Sequence, residues 1–187
     1  MVLFDKSEEG GVRMELLLPG TMISVSQSHL EDVDQVFRPM FLSGGLQLRQ
    51  VVGLLGTEAH TVQNWVKRGF VDSPVKKFYD QERFVRLALL NYYKDVFSLE
   101  EIILLLNMVR QDSMVYSALC LLLAHSPIDP IRAETKFNEM IEEAMSARSF
   151  DYKKTSKEQV RRLLTILYTA HLSIVLKREA VKMAKEI

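Results

Sequence analysis

Gln63 and Asn64 lie side by side in a ten-residue run from His60 to Gly69. A side-chain amide donates and accepts at once, so this pair matches the edge that adenine shows in the major groove of DNA. His60 and Thr61 stand just before them, within reach of a base or a sugar. Lys67 and Arg68 follow, and Lys76 and Lys77 come a few residues later. These four cations suit phosphate, where they add affinity and salt dependence rather than sequence choice. On an isolated surface helix the same residues would be ordinary solvated positions, so their meaning depends on the elements that hold them.

Val62, Trp65 and Val66 fall at i, i+3 and i+4, which predicts a helix that buries them and turns the amides and cations outward. Gly69 supplies its C-terminal stop. A second amphipathic helix precedes it, with Leu48, Val51, Val52 and Leu55 on one face and only Gly56 and Thr57 between the two. That order of elements is the helix-turn-helix signature. The next stretch, Phe70 to Tyr79, is broken by Pro74 and too short for a helix. It can form a tight two-stranded wing with Lys76 and Lys77 at its tip. Asp80 is positioned to cap a helix burying Phe84, Leu87, Ala88 and Leu90. Ser98 with Glu101 forms a capping box for another.

These steps together resemble the winged-helix DNA-binding domain of MerR-type transcription regulators. They read Gly56, Thr61-Val62-Gln63-Asn64-Trp65-Val66, Gly69-Phe70, Tyr79 and Ser98-Leu99-Glu100-Glu101-Ile102. The runs Asn64 to Gly69, Pro74 to Tyr79 and Val96 to Ile102 are closer still to one uncharacterised bacterial family known only as a domain of unknown function. The resemblance implies double-stranded DNA as partner, with Tyr79 closing the wing and joining the contact set. It also implies a two-fold homodimer reading palindromic half-sites. MerR-type proteins carry Arg-Tyr where this chain has Gln63-Asn64, an acid at Val66, and an arginine in a longer wing. Such arginine and aromatic groups help grip the DNA backbone in that family, so the resemblance implies DNA binding here but does not by itself imply an operator-distorting mechanism.

The remainder of the composition narrows the function classes. The chain has 187 residues, 48% of them hydrophobic and 26% charged, with zero formal net charge, which argues against a general nucleic-acid coat. The distribution is uneven. Residues 57 to 94 hold seven Lys/Arg against four Asp/Glu, residues 95 to 147 three against nine, and residues 148 to 187 ten against four. The basic segment is thus followed by an acidic one that phosphate would repel. A single cysteine, Cys120, excludes an internal disulfide and reads as a core residue rather than a redox sensor. His29, His60, His125 and His171 are scattered, with no ligand at metal spacing, so no metal and no cofactor is expected. Glu100-Glu101 and Glu142-Glu143 diverge on their helices, and there is no nucleophile with its base or phosphate-cradling glycine loop. No enzymatic activity is expected. There is no signal-peptide pattern, and the apolar window from Ile102 to Ala124 is interrupted by Arg110, Gln111 and Asp112. The expectation is a cytoplasmic protein without membrane contact.

Elsewhere the chain reads as helical. Val12 to Leu18 and Met22 to Val25 flank Pro19-Gly20, and form a small hairpin or an extended arm. Ser28 with Glu31 suggests a capping box for a helix ending at Ser43-Gly44-Gly45. Ser113 is placed to cap the apolar helix Met114 to Ala124. Asp129 and Pro130 open a helix toward Ala147, and Thr155 with Glu158 launches the last one. Its stripe of Leu163, Leu167, Ala170, Ile174 and Val181 completes the C-terminal core on the plainer reading. On the sharper reading it makes a dimer contact within a compact bundle, since each helical piece looks too short for a long coiled coil.

The expected fold class is mainly α: a MerR-like winged helix-turn-helix, a C-terminal helical bundle and a small N-terminal β-hairpin. The expected divisions are 1–45 (arm and helix), 46–109 (winged helix) and 110–187 (bundle for an effector or dimerisation). The expected function is sequence-specific DNA binding in transcription regulation, with an unidentified small-molecule effector as a further partner. The alternative is a protein-interaction module that keeps the winged fold without binding DNA, favoured by the zero net charge and the missing arginine.

Overall fold

The structure, a computed structural model, describes residues 16–125 and 137–185. It is mainly helical, with two small antiparallel sheets. The first sheet is the N-terminal hairpin: β1 (Leu16–Leu17) pairs with β2 (Ser24–Val25), with Leu16 opposite Val25. The stretch Val12 to Glu15, expected to begin it, lies outside the described residues. At the hairpin tip Gly20 has φ +73°, and a Cβ there would stand 1.9 Å from the Ala88 carbonyl oxygen. Only glycine lets the turn come that close. Tyr116 donates to the Pro19 carbonyl at 2.8 Å, and Asn91 Nδ2 donates to both Gly20 and Leu55 carbonyls at 2.9 Å. One side chain thereby fixes the hairpin to the helices behind it.

Helices α1 (Gln27–Glu31) and α2 (Asp34–Phe41) follow, where one helix was expected. Asp32 leaves the helical conformation (φ −129°, ψ 75°) and breaks the run, and the N-cap is Ser26, whose hydroxyl accepts from the His29 N–H, not Ser28. After Gly44 and Gly45, β3 (Leu46–Gln47) leads into α3 (Leu48–Leu55). Gln47 and Gln50 cap α3 reciprocally, backbone to side chain. The chain turns through Gly56 to Glu58 into α4 (Ala59–Lys67), where Val62 and Trp65 are buried as their spacing requires. Gly69 ends α4 at φ +75°. The Gly69 N–H bonds the Val66 carbonyl and the Phe70 N–H the Trp65 carbonyl, the paired closure of a Schellman motif.

A hairpin through Val75 and Phe78 brings in β4 (Phe78–Tyr79), which pairs with β3 so that Leu46 faces Tyr79 and Gln47 faces Phe78. Helix α5 (Gln81–Tyr93) is capped by Asp80, and α6 (Leu99–Asn107) by the Ser98–Glu101 box, both as the sequence indicates. Helix α7 (Asp112–Ala124) begins two residues before its expected start. Ser113 does not cap it; the Ser113 N–H instead donates to Glu82 Oε2 of α5 at 3.2 Å. Helices α5 and α7 form the centre of the core, and α7 is apolar on nearly all sides, as a helix so deeply buried must be.

The start of the helix expected from Asp129 falls outside the described residues, and α8 (Phe137–Ser146) buries Ile141, Ala144 and Met145. Helix α9 (Lys157–Lys185) is opened by Ser156 and Gln159 rather than Thr155 and Glu158. The Gln159 N–H bonds Ser156 Oγ at 3.1 Å, Gln159 Oε1 accepts from the Ser156 N–H at 2.9 Å, and Thr155 is buried. At 29 residues it runs about 43 Å, so this piece is not short. Its apolar stripe is buried from Val160 to Ile174 and then ends: Leu176, Val181 and Met183 are exposed. One hydrophobic cluster runs from Leu16 to Ile174 across the divisions expected at 45/46 and 109/110.

Candidate functional site

The exposed face of α4 carries His60, Gln63, Asn64, Lys67 and Arg68, with Thr61 half-buried. This follows from the burial of Val62 and Trp65, which fixes the rotation of the helix against α3. Lys67 lies in the last turn, where a cation is favoured by the helix dipole.

The hairpin beside it is tighter than its sequence suggests. Val75 and Phe78 exchange two backbone hydrogen bonds of 3.0 and 2.8 Å. Lys76 and Lys77 therefore occupy the two central positions of a two-residue turn, with φ of 49° and 70°. Two consecutive positive φ values define a type I′ turn, which normally takes Asn-Gly or Asp-Gly. A lysine in the left-handed region costs about 1 kcal/mol or more per residue. Local propensity would not choose lysine twice here, and the turn holds both ammonium groups out at its tip. Arg83 steadies the approach to the hairpin, donating through Nε to the Ser73 carbonyl at 2.9 Å and pairing with Asp80.

Between α4, the N-terminal end of α3 and the hairpin runs an open groove of about 740 Å³. Gln63, Lys67, Lys76 and Lys77 border it, together with Gln47 and Arg49, which the sequence reading did not single out. Among the described residues no acidic side chain lines it, and Val66, Pro74 and Phe78 give it an apolar strip. Arg49 could have been found as an exposed cation in the first turn of the helix preceding α4. Its approach to the hairpin lysines depends on the β3–β4 pairing, which no local pattern announces.

Two of the expected contact residues are placed differently. The Arg68 guanidinium pairs with the Glu100 carboxylate of α6 and lies over the Phe70 ring, 4.4 Å from its centroid. It is turned away from the groove. Tyr79 reaches the groove floor but is only 4% exposed, and burial raises its phenol above the ordinary range. Its backbone closes the small sheet while its ring serves the core. His60, Thr61 and Asn64 share the helix face without lining the groove.

Three of the four paired carboxylates have structural employment. Glu101 caps α6 through Ser98, whose hydrogen bonds hold its carboxyl below the usual range; Glu100 pairs with Arg68, and Glu142 accepts from Arg161 Nε at 2.7 Å. Cys120 is buried, and burial pushes its thiol well above the ordinary range. No group of three or more His, Cys, Asp or Glu among the described residues is placed to hold a metal ion. No helix among them is long and apolar enough to cross a membrane.

Residues 46–118 match the family described as Domain of unknown function (DUF1836). The match runs from β3 into α7 and contains all nine residues singled out above. No curated protein and no solved structure matches the chain.

Proposed function

We propose that the segment matching this family is a winged helix-turn-helix of the MerR-like kind, and that the protein binds double-stranded DNA sequence-specifically as a transcription regulator. One observation carries the reading: a groove bordered by Arg49, Lys67, Lys76 and Lys77, with Gln63 among them and no carboxylate in its wall among the described residues. Helix α4 would enter the major groove and present Gln63 and Asn64 to base edges. The turn lysines would rest on the backbone, where each neutralised phosphate adds affinity at a cost in salt sensitivity. The cations lie around an amide-bearing helix, as needed for phosphates to set the register and bases to set the choice.

The test is a salt-titrated binding assay on genomic fragments. Gln63→Ala with Asn64→Ala is expected to abolish preference among sequences while leaving non-specific retention. Lys76→Ala with Lys77→Ala is expected to weaken every sequence alike and to lower the salt slope by about two. A homodimer on a palindromic site accompanies this proposal, in the cytoplasm and without enzymatic activity. Sedimentation of the intact chain with and without a palindromic duplex measures the stoichiometry.

A second reading is supported by the apolar strip. Val75 and Phe78 are 59% and 36% exposed beside the groove, a surface that also suits a protein segment. Absence of retention on any duplex at low salt, with a protein partner bound through Val75 and Phe78, would favour the interaction module.

A further inference from the structure

A second cavity, of about 290 Å³, lies between the N-terminal hairpin, the end of α5 and the middle of α9. Leu18, Leu30, Leu55 and Leu123 give it apolar walls. On the α9 side His171 is 4% exposed, its ring stacked between Tyr92 and Tyr168 at interplanar angles of 22° and 24°. His171 Nδ1 lies 2.6 Å from the Tyr92 hydroxyl. That hydroxyl has no other partner among the described residues. The assignment that satisfies both groups has Tyr92 donating to Nδ1, which leaves the imidazole proton on Nε2. Nε2 has no acceptor among the described residues.

Arg178 lies seven residues further along the same face of α9 and also lines the cavity. It makes no ion pair or hydrogen bond among the described residues, yet its charge is felt at both Tyr92 and His171, lowering the proton affinity of each. Burial, the larger cause, drives His171 down to about 3, so the imidazole is a neutral donor. The other polar groups are mostly committed. Asn91 donates to two backbone carbonyls, and Lys94 donates to Asn91 Oδ1 at 2.8 Å. Asp95 also lines the cavity, which disfavours a doubly charged anion. What remains unsatisfied among the described residues is one guanidinium and one imidazole N–H beside an aliphatic floor.

We propose that this cavity binds a small aliphatic monocarboxylate, its carboxylate on Arg178 and His171 Nε2 and its chain against Leu18, Leu30, Leu55 and Leu123. At roughly 30 Å³ per non-hydrogen atom the space holds about ten, the size of a chain of some eight carbons. Arginine suits the head because its fork matches a carboxylate and the bond is charge-assisted. Leu55 and Gly56 form part of the wall, and the Met22 N–H of the hairpin bonds the Leu54 carbonyl at 2.7 Å. An occupant would therefore touch the turn between α3 and α4.

The test is calorimetric titration of the intact chain with sodium octanoate, beside acetate, 1-octanol and octylamine. One saturable octanoate site is expected, with at least tenfold weaker binding of the other three. Arg178→Gln should weaken octanoate about tenfold while leaving the circular dichroism melt unchanged, because Arg178 is exposed. The 15N resonance of His171 Nε2 should shift on binding. Octanol binding as tightly as octanoate, Arg178→Gln binding undiminished, or many weak detergent-like sites would each overturn the proposal. None of these readouts involves nucleic acid, so this site and the DNA-binding reading stand or fall separately.

Discussion

Arg86 Nε lies 3.3 Å from Asp112 Oδ2, joining α5 to the first turn of α7, while Asp112 Oδ1 is buried with no hydrogen bond among the described residues. The Asp112 side chain is only 7% exposed. Burial outweighs the pull of Arg86, aided by the nearby charges of Glu82 and Asp72, and its carboxyl is pushed up to about 6 from 3.8. A raised acid means that the native state binds the proton more tightly than the unfolded chain. This group therefore adds stability as pH falls through 6, and the gain is complete below about 4. The size is on the order of 3 kcal/mol. Glu101 and Asp151, whose carboxyls are held low by hydrogen bonds, act in the opposite sense and lose their contribution only at lower pH. Urea midpoints between pH 7.5 and 5 should rise in the native chain and flatten in Asp112→Asn. Parallel pH profiles would show that Asp112 is not the group responsible.

The turn lysines trade stability for charge. Replacing Lys76 and Lys77 by Asn and Gly supplies the residues that a type I′ turn prefers. The double variant should be more stable by about 1 to 2 kcal/mol, read from denaturant midpoints. It should also hold DNA less tightly, with a shallower dependence on salt. Lower stability together with unchanged DNA affinity would contradict both halves of the argument.

Arg68 and Lys67 are neighbours with different duties. Arg68 is committed to Glu100 and the Phe70 ring, whereas Lys67 borders the cationic groove. Arg68→Ala should leave DNA affinity within about twofold and cost less than about 1 kcal/mol of stability, the ordinary range for an exposed pair. Lys67→Ala should weaken DNA of any sequence several-fold. Filter retention of both variants at one salt concentration decides between these roles, and a larger loss for Arg68→Ala would reverse the assignment.

Gly20 is the point where the N-terminal hairpin meets α5. An added Cβ would overlap the Ala88 carbonyl, and the backbone there is left-handed. Gly20→Ala should cost about 3 kcal/mol or more, since neither partner is the flexible end of a side chain. Chemical denaturation measures it, and a change below 1 kcal/mol would mean that the hairpin can lift away without loss.

Much of the α3 to α6 region was legible because its signals are local. Val62 and Trp65 recur at helical spacing, Gly69 can take the left-handed stop, and Asp80 and Ser98 cap from one residue before their helices. Each depends on neighbours within one or two turns. The misread caps show the limit of the same logic. Ser28 and Thr155 have the right spacing to an acid, but Ser26 and Ser156 hold the capping geometry because the backbone leaves the helix there. Spacing alone does not distinguish candidates one or two residues apart.

By itself the sequence determined which face of α4 is apolar and which carries amides and cations, since alternation along a helix is written in consecutive residues. Only the tertiary structure decided that Arg68 turns to a carboxylate 32 residues away, that Tyr79 gives its ring to the core, and that Arg49 joins the lysines of the hairpin. It also decided that His171 and Arg178 face a cavity walled by the N-terminal hairpin. Those outcomes depend on which distant segments come together, and the free energy of such meetings is shared among residues that no short window contains.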